Sequence, residues 1–267
     1  MLKDITLGQY YPTDSLIHQL DPRVKMLATI VYMVMLFLND SAAGYLLNFA
    51  VLLVIVALTK IPFRQILRGI RMILFLLLFS VMFTLLFTEG ENMIVSFGII
   101  HISWQGIILA AKITVRLFML VTMSTVLTLT TKPTDIADGL EKAFGAFSRL
   151  GVPVHDIAMM LTIALRFIPI LMEETDKIIR AQKARGADFE SGSFIHRAKN
   201  LIPIFVPLII SSVKRAMDLA MAMEARCYRG GEGRTKMMPL RYQKKDKVAY
   251  LILAGYVLAG VGMKLVM

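Results

Sequence analysis

A chain of 267 residues with 57% hydrophobic content is too apolar for an ordinary soluble domain, and its mean hydropathy of +0.66 marks an integral membrane protein. The formal net charge of +11 does not point to nucleic acid, because apolar runs separate the basic residues and no module interleaves aromatic with basic side chains. Lys and Arg held on the cytoplasmic side of a membrane account for it. The single cysteine, Cys227, excludes an intramolecular disulfide; His18, His101, His155 and His196 lack zinc-ligand spacing and read as interfacial polar groups.

Residues 1–23 carry Asp4, Asp14 and Asp21 before any apolar run, so they do not read as a cleaved signal peptide. Apolar runs follow at about 24–38, 42–59, 70–88, 104–131 and 248–267, each near or somewhat below the ~20 residues that cross a hydrocarbon core of ~30 Å. Five spans are expected, with Asn39, Asp40 and Ser41 as a tight turn between the first two. Loop charge sets the orientation. Arg23 and Lys25 flank the first span, and Lys60, Arg64, Arg68 and Arg71 crowd the second loop, whereas Thr88 to Ser103 holds Glu89 and Glu91 but no Lys or Arg. That loop is expected outside. The fourth span then ends inside at Lys132, and Lys244, Lys245 and Lys247 start the last span inside, giving a cytoplasmic N-terminus and an external C-terminus.

The intervening residues 132–246 contain 19 Lys or Arg and 13 Asp or Glu, too charged for lipid and too apolar for a flexible linker. The domain expectation is therefore a transmembrane region at 1–131, helices at the inner membrane face over 132–246, and a last transmembrane helix at 247–267. Pro133 suits a first helical turn, with Asp135, Asp138 and Glu141 near the positive dipole end and Arg149 near the negative end. Gly151 and Pro153 break that helix. A second helix is expected from about Val154 to Arg185, stopping at Gly186, with Leu161, Leu165, Ile168 and Met172 at helical spacing. Gly186 to Ser193 reads as a turn. A third helix follows from about Phe194 to Arg229, ending at Gly230 and Gly231, with bends expected at Pro169, Pro203 and Pro207.

One short pattern occurs twice here. Ala181, Gln182, Lys183, Ala184, Arg185, Gly186 is echoed 41 positions on by Ala222, Met223, Glu224, Ala225, Arg226, Cys227. Each copy closes a long apolar helix, so the same Arg is presented at two helix ends. Antiparallel or crossed helices of this length set the two Arg roughly 30 to 50 Å apart at 1.5 Å per residue, which suits one Arg per subunit of a paired partner. A guanidinium offers five donors in a fixed fork, and the small Ala residues around it let a partner approach closely. The simpler alternative is two Arg capping helix C-termini, worth about 0.3 to 1 kcal/mol each; the repetition favours docking.

Several pieces fall in one order: Leu20, Asp21, Pro22, Arg23, Val24, Lys25; Thr130, Thr131, Lys132, Pro133, Thr134, Asp135; Gly151, Val152, Pro153; Arg166, Phe167, Ile168, Pro169; and Ala181 to Gly186. This ordered set resembles the transmembrane T component of energy-coupling factor (ECF) transporters, a group that includes the cobalt-transport permease subunit. The resemblance implies an all-α polytopic membrane protein with about five transmembrane helices and a cytoplasmic coupling domain of long crossed helices. It also implies partners: two ABC-type ATPases, which bind the ATP and Mg, and one membrane-embedded substrate-binding S component, with no cofactor on this chain. The family's two Ala-Arg-Gly motifs end coupling helices whose Arg residues enter grooves on the ATPases. Their counterparts are Ala184, Arg185 and Gly186, then Ala225, Arg226 and Cys227, where Cys227 departs from Gly.

Four further positions are candidates for a structural or inter-helix role. Arg166 and Pro169 lie mid-helix in apolar surroundings, where Arg can reach phosphates and Pro bends the helix. Lys112 and Arg116 share one face of the fourth span, where a central charge costs about +2.5 to +3.5 kcal/mol, so they should face protein or snorkel. No acid within the spans is placed to pair with them, leaving a conduction path as an alternative. Met159, Met160, Met217, Met221 and Met223 are either core filler or an adaptable surface for an exchangeable S component.

The expected function is therefore a membrane subunit of a primary transporter for a vitamin or metal ion, passing ATPase motion to a substrate-binding partner. No G-x-x-x-x-G-K-[ST] loop is present, Gly230 to Gly233 being followed by Arg234. Competing readings are a self-sufficient ABC permease, which needs a pore lined by this chain, and an intramembrane enzyme, which needs paired acids, a metal cluster or an activated nucleophile in the spans.

Overall fold

The computed structural model describes residues 10–88, 93–97, 100–145, 151, 153–187, 189, 193–230 and 240–266. Eight α-helices form among them: α1 (Pro22–Leu38), α2 (Ala42–Thr59), α3 (Phe63–Phe87), α4 (Trp104–Thr130), α5 (Pro133–Ala143), α6 (Val154–Ala184), α7 (Phe194–Ala225) and α8 (Lys244–Val266). Arg149 lies outside the described residues.

The helix starts follow local chemistry. Asp21 caps α1 by accepting from the Arg23 amide, with Pro22 at the first position, where a missing N–H costs nothing. Ser41 caps α2 and Ser103 caps α4, each accepting from a glycine amide three residues on. Pro133 opens α5 and Asp135 sits in its first turn.

The helical class holds, with one addition. In the loop expected outside, β1 (Met93–Phe97) and β2 (Ile100–Ser103) pair as an antiparallel hairpin with an irregularity between Met93 and Val95. The run Met93, Ile94, Val95, Ser96, Phe97 is rich in branched and aromatic residues that suit a strand.

Span membership also differs from expectation. By length and composition α2, α4, α6 and α8 can each cross a membrane, and α3, bent by 58° between Arg71 and Ile73, is either a fifth, broken span or a re-entrant segment. The multi-pass membrane character stands. The basic residues Arg64, Arg68 and Arg71, read as a loop, are helical, and α1 has only 17 residues. Its rise of roughly 26 Å still approaches the hydrocarbon thickness. Conversely α6, expected at the membrane face, qualifies as a span because its charges gather after Met172, leaving Asp156 and Arg166 before it.

The chain divides into two compact units, residues 8–136 with 240–267, and residues 137–239 with the first seven; the division falls within α5. In the first, α1, α2, α4 and α8 surround a core of Tyr32, Met35, Leu36, Leu52, Met119, Met123 and Tyr256. A second cluster, Ile61, Ile66, Ile70 and Leu129, joins α3 to α4. These two helices approach closely at Gly69, where a Cβ would stand 2.7 Å from a methyl of Thr125. Inside the bundle the Asn48 side chain bonds through both ends: it donates to the Gly44 carbonyl at 2.7 Å and accepts from the Tyr256 hydroxyl, while the Tyr32 hydroxyl donates to the Asn48 backbone carbonyl at 3.2 Å. In a bilayer, with no water at hand, a buried polar group is costly unless it is paired. In the other unit, α6 and α7 pack against each other and α6 opens beside α5, where His155 Nδ1 lies 2.9 Å from Glu141 Oε1.

Candidate coupling site

The two repeated motifs end their helices with the same backbone geometry. At α6, the Gly186 amide donates to the Lys183 carbonyl and the Ala187 amide to the Gln182 carbonyl, with Gly186 at φ 87°. At α7, the Cys227 amide donates to the Glu224 carbonyl and the Tyr228 amide to the Met223 carbonyl, with Cys227 at φ 55°. Both are Schellman closures, in which a left-handed residue turns the chain so that two orphan carbonyls are satisfied. Cys227 therefore occupies the glycine position of the repeat in conformation as well as in alignment. The third helix does not run on to Gly230; it stops at Ala225. A Cβ in the left-handed region costs about 1 kcal/mol or more, and Cys227 carries that strain where Gly186 does not.

The closures leave Arg185 and Arg226 exposed, together with Ala184, Gly186, Ala225 and Cys227. Neither guanidinium takes an ion-pair or hydrogen-bond partner among the described residues.

Two contacts fix how α6 and α7 meet. Arg215 Nη2 donates to Glu174 Oε2 at 3.2 Å, and Gln182 Nε2 donates to the Pro203 carbonyl at 3.4 Å. Partners that descend α6 while ascending α7 make the pair antiparallel or crossed. The second contact has a covalent cause. The Pro203 carbonyl would normally accept from the amide of residue 207, but Pro207 has none, so the carbonyl is left for Gln182 of the facing helix. Glu174 and Arg215 are themselves 41 positions apart, so each stands eleven residues before the Arg that ends its helix. The ion pair thus marks equivalent points in the two halves of the repeat. At 1.5 Å per residue, each terminal Arg is about 16 Å along its helix from that crossing, which bounds their separation at about 35 Å. The part of the expected range above about 35 Å is thereby excluded.

The family model for the cobalt transport protein CbiQ matches residues 13–237, spanning both closures. The chain belongs to this family. It is 49% identical to the energy-coupling factor transporter transmembrane protein EcfT of Clostridium kluyveri, over 94% of this chain and 93% of that one. It is 48% identical to the protein of the same name from Acidaminococcus fermentans, over 95% and 94% of the two chains. With the one from Lactococcus lactis subsp. cremoris the identity is 46%, over 92% and 93%.

The remaining candidates separate by position in this family member. Arg166 and Pro169 are exposed on α6, which runs unbroken through the proline. Met160, Met217 and Met221 are 59–61% exposed, whereas Met159 and Met223 are half-buried. Lys112 is exposed on α4. Arg116 pairs with Asp40, and its guanidinium lies 5.3 Å from the Phe37 ring centroid and 5.7 Å from that of Tyr45. The acid absent from the spans comes from the turn between α1 and α2, read from sequence only as a turn. An Arg so engaged is held in place by protein, not set along an open path.

A second polar cluster escaped the sequence reading. The Asp21 amide donates to Asp246 Oδ1 at 2.8 Å, and Asp246 Oδ2 accepts from the Gln243 amide at 2.7 Å. Arg23 donates to both Asp21 oxygens and stacks over the Tyr242 ring at 4.2 Å. Lys25 donates to the carbonyls of His18 and Thr130, each at 3.0 Å, the latter at the end of α4. This clasp joins the starts of α1 and α8 to the end of α4. Asp246, 1% exposed, sits 225 positions from its partner. Its only sequence signal was an acid within the lysine run before the last span. Beside the clasp, His18 Nδ1 lies 2.7 Å from Ser15 Oγ and Nε2 lies 3.0 Å from the Tyr11 carbonyl. Burial, seconded by the Lys25 charge, holds the His18 pKa below the ordinary imidazole value, against the opposing pull of the Tyr11 carbonyl.

Proposed function

We propose that this chain is the transmembrane coupling subunit of an ECF-type transporter, non-catalytic itself, passing the motion of two ABC-type ATPases to a membrane-embedded S component. ATP and Mg belong to the ATPases on this reading, and the S component selects the vitamin or metal ion taken up. The observation that carries it is the duplicated helix end: two exposed Arg on identical closures, each eleven residues from one crossing ion pair. One Arg engages each ATPase. As the ATPases close on nucleotide they draw the Arg ends together, and the crossed helices turn that approach into a shift of the surface carrying Met160, Met217 and Met221, against which the S component packs.

The orientation follows from charge. The clasp gathers the starts of α1 and α8 and the end of α4 at one end of the bundle, beside Lys25, Lys132 and Lys245. By the excess of Lys and Arg in cytoplasmic loops this end is cytoplasmic, which puts the N-terminus inside and the C-terminus outside the cell membrane.

Co-expression with the neighbouring genes tests the reading. The tagged chain should recover two ATPases and one small hydrophobic protein. The double variant Arg185→Glu, Arg226→Glu should lose the ATPases while still inserting in the membrane. Unchanged ATPase recovery refutes docking through these Arg, and transport by this chain with ATPases but no S component would favour a self-sufficient permease.

A further inference from the structure

A cavity of about 600 Å³ opens between α1, α2, α4 and α8. With a water-sized group taking ~30 Å³, it has room for roughly twenty methylene-sized groups. Its floor is buried side chains, Val24, Thr29, Tyr32, Met123 and Val126, while its lips, Leu16, Val54, Leu58, Val248 and Ile252, are exposed. It is therefore a cleft facing whatever surrounds the bundle, and around membrane-crossing helices that medium is lipid.

The cleft is apolar along its length and polar at each end. Lys245 stands at one end; at the other, Tyr32 and Tyr256 are tied to Asn48. The eleven residue steps of α8 from Lys245 to Tyr256 rise about 16 Å, half of a hydrocarbon core of ~30 Å. With Lys245 at the headgroup level, that length takes the cleft one leaflet deep, to Tyr32 and Tyr256 near the bilayer middle. The charge at its mouth is positive. Asp21 and Asp246 are buried and bonded to backbone amides, and Lys25 is spent on two carbonyls, whereas Lys244, Lys245 and Lys247 are exposed. Among the described residues Lys245 meets the neutral amide of Gln19.

We propose that this cleft binds one acyl chain of an anionic phospholipid from the leaflet at the clasp end of the bundle, with the headgroup against Lys245. A protein helix does not match it: a spanning helix would need a groove two leaflets long, and this one stops at Tyr32 and Tyr256. A zwitterionic lipid fits the length and offers the same phosphate, but its cationic headgroup offsets the attraction to Lys245. The site depends only on the bundle and its membrane setting, so it stands or falls apart from the coupling role of α6 and α7.

The test uses the full chain in phosphatidylcholine vesicles doped with either phosphatidylglycerol or phosphatidylcholine bearing a photoreactive diazirine midway down one acyl chain. Adducts are mapped by peptide mass spectrometry. The phosphatidylglycerol probe should label floor residues such as Thr29 and Val126 about five times more than the phosphatidylcholine probe, the factor that about 1 kcal/mol for one Lys near the surface gives. Lys245→Glu should abolish the preference while acyl labelling persists. Ala249→Phe, or the milder Ala28→Leu, should remove floor adducts from both probes and leave labelling of exposed Leu76 and Leu78 on α3 unchanged. Floor labelling no stronger than at Leu76 and Leu78, equal labelling by the two probes, or crosslinks from the cleft to a copurified membrane protein in place of lipid would overturn the proposal.

Discussion

In the bundle of α1 to α4 and α8, Asp21, Lys25 and Asp246 are buried and committed to backbone groups, whereas at the ends of α6 and α7 Arg185 and Arg226 stand exposed and, among the described residues, uncommitted. The chemistry on offer is similar in both places. What differs is the partner each charge has been given. Removing a buried, bonded charge leaves backbone groups orphaned and costs stability; removing an exposed one costs little stability and takes away whatever it was displayed for. The bundle is thus built to hold and, on the proposed function, the helix ends to engage.

The sharpest way to break this contrast is Asp246→Ala, which leaves the Asp21 and Gln243 amides without their acceptor. It should destabilise the protein by about 3 kcal/mol, read as a lower thermal midpoint and poorer recovery in detergent. Lys25→Met should cost about 2 kcal/mol through the carbonyls of His18 and Thr130. Arg185→Ala and Arg226→Ala should each change stability by less than about 0.5 kcal/mol; a loss as large as that of Asp246→Ala would dissolve the distinction between the two regions.

The two closures can be compared with each other. Cys227→Gly should stabilise the end of α7 by about 1 kcal/mol, and Gly186→Ala should weaken the end of α6 by a similar amount. Hydrogen exchange at the Tyr228 and Ala187 amides reads each change locally, and equal signs would refute the shared geometry. The smallest effect is expected from pH. Because the His18 pKa is lowered in the folded chain, stability from its neutral form is present above the ordinary value of about 6.5 and is lost as pH falls below it. Protection factors at the amides of residues 10–20, taken relative to the slower intrinsic exchange at low pH, should fall modestly between pH 7 and 5.

Legibility in the sequence tracked the range of the interaction. Hydropathy found most of the spans, and Pro133, Gly186 and the apolar spacing of α6 located helix ends and faces, because these signals act over a few residues. The clasp was invisible because its partners lie 225 positions apart, as was the pairing of Arg116 with Asp40 across 76. The end of α7 was misplaced for a different reason. Gly230 and Gly231 look like the natural stop, yet Cys227 accepts the left-handed conformation earlier. The repeat already aligned it with Gly186, so its register was a better guide than glycine content.

The position of the Glu174–Arg215 ion pair has a mechanical meaning. A beam pinned at its midpoint and loaded alike at both tips pivots without sliding, and unequal arms would favour one side. The two arms are equal at eleven residues each, but Gln182, bonded to the Pro203 carbonyl three residues before Arg185, ties the α6 arm to α7 near its tip as well.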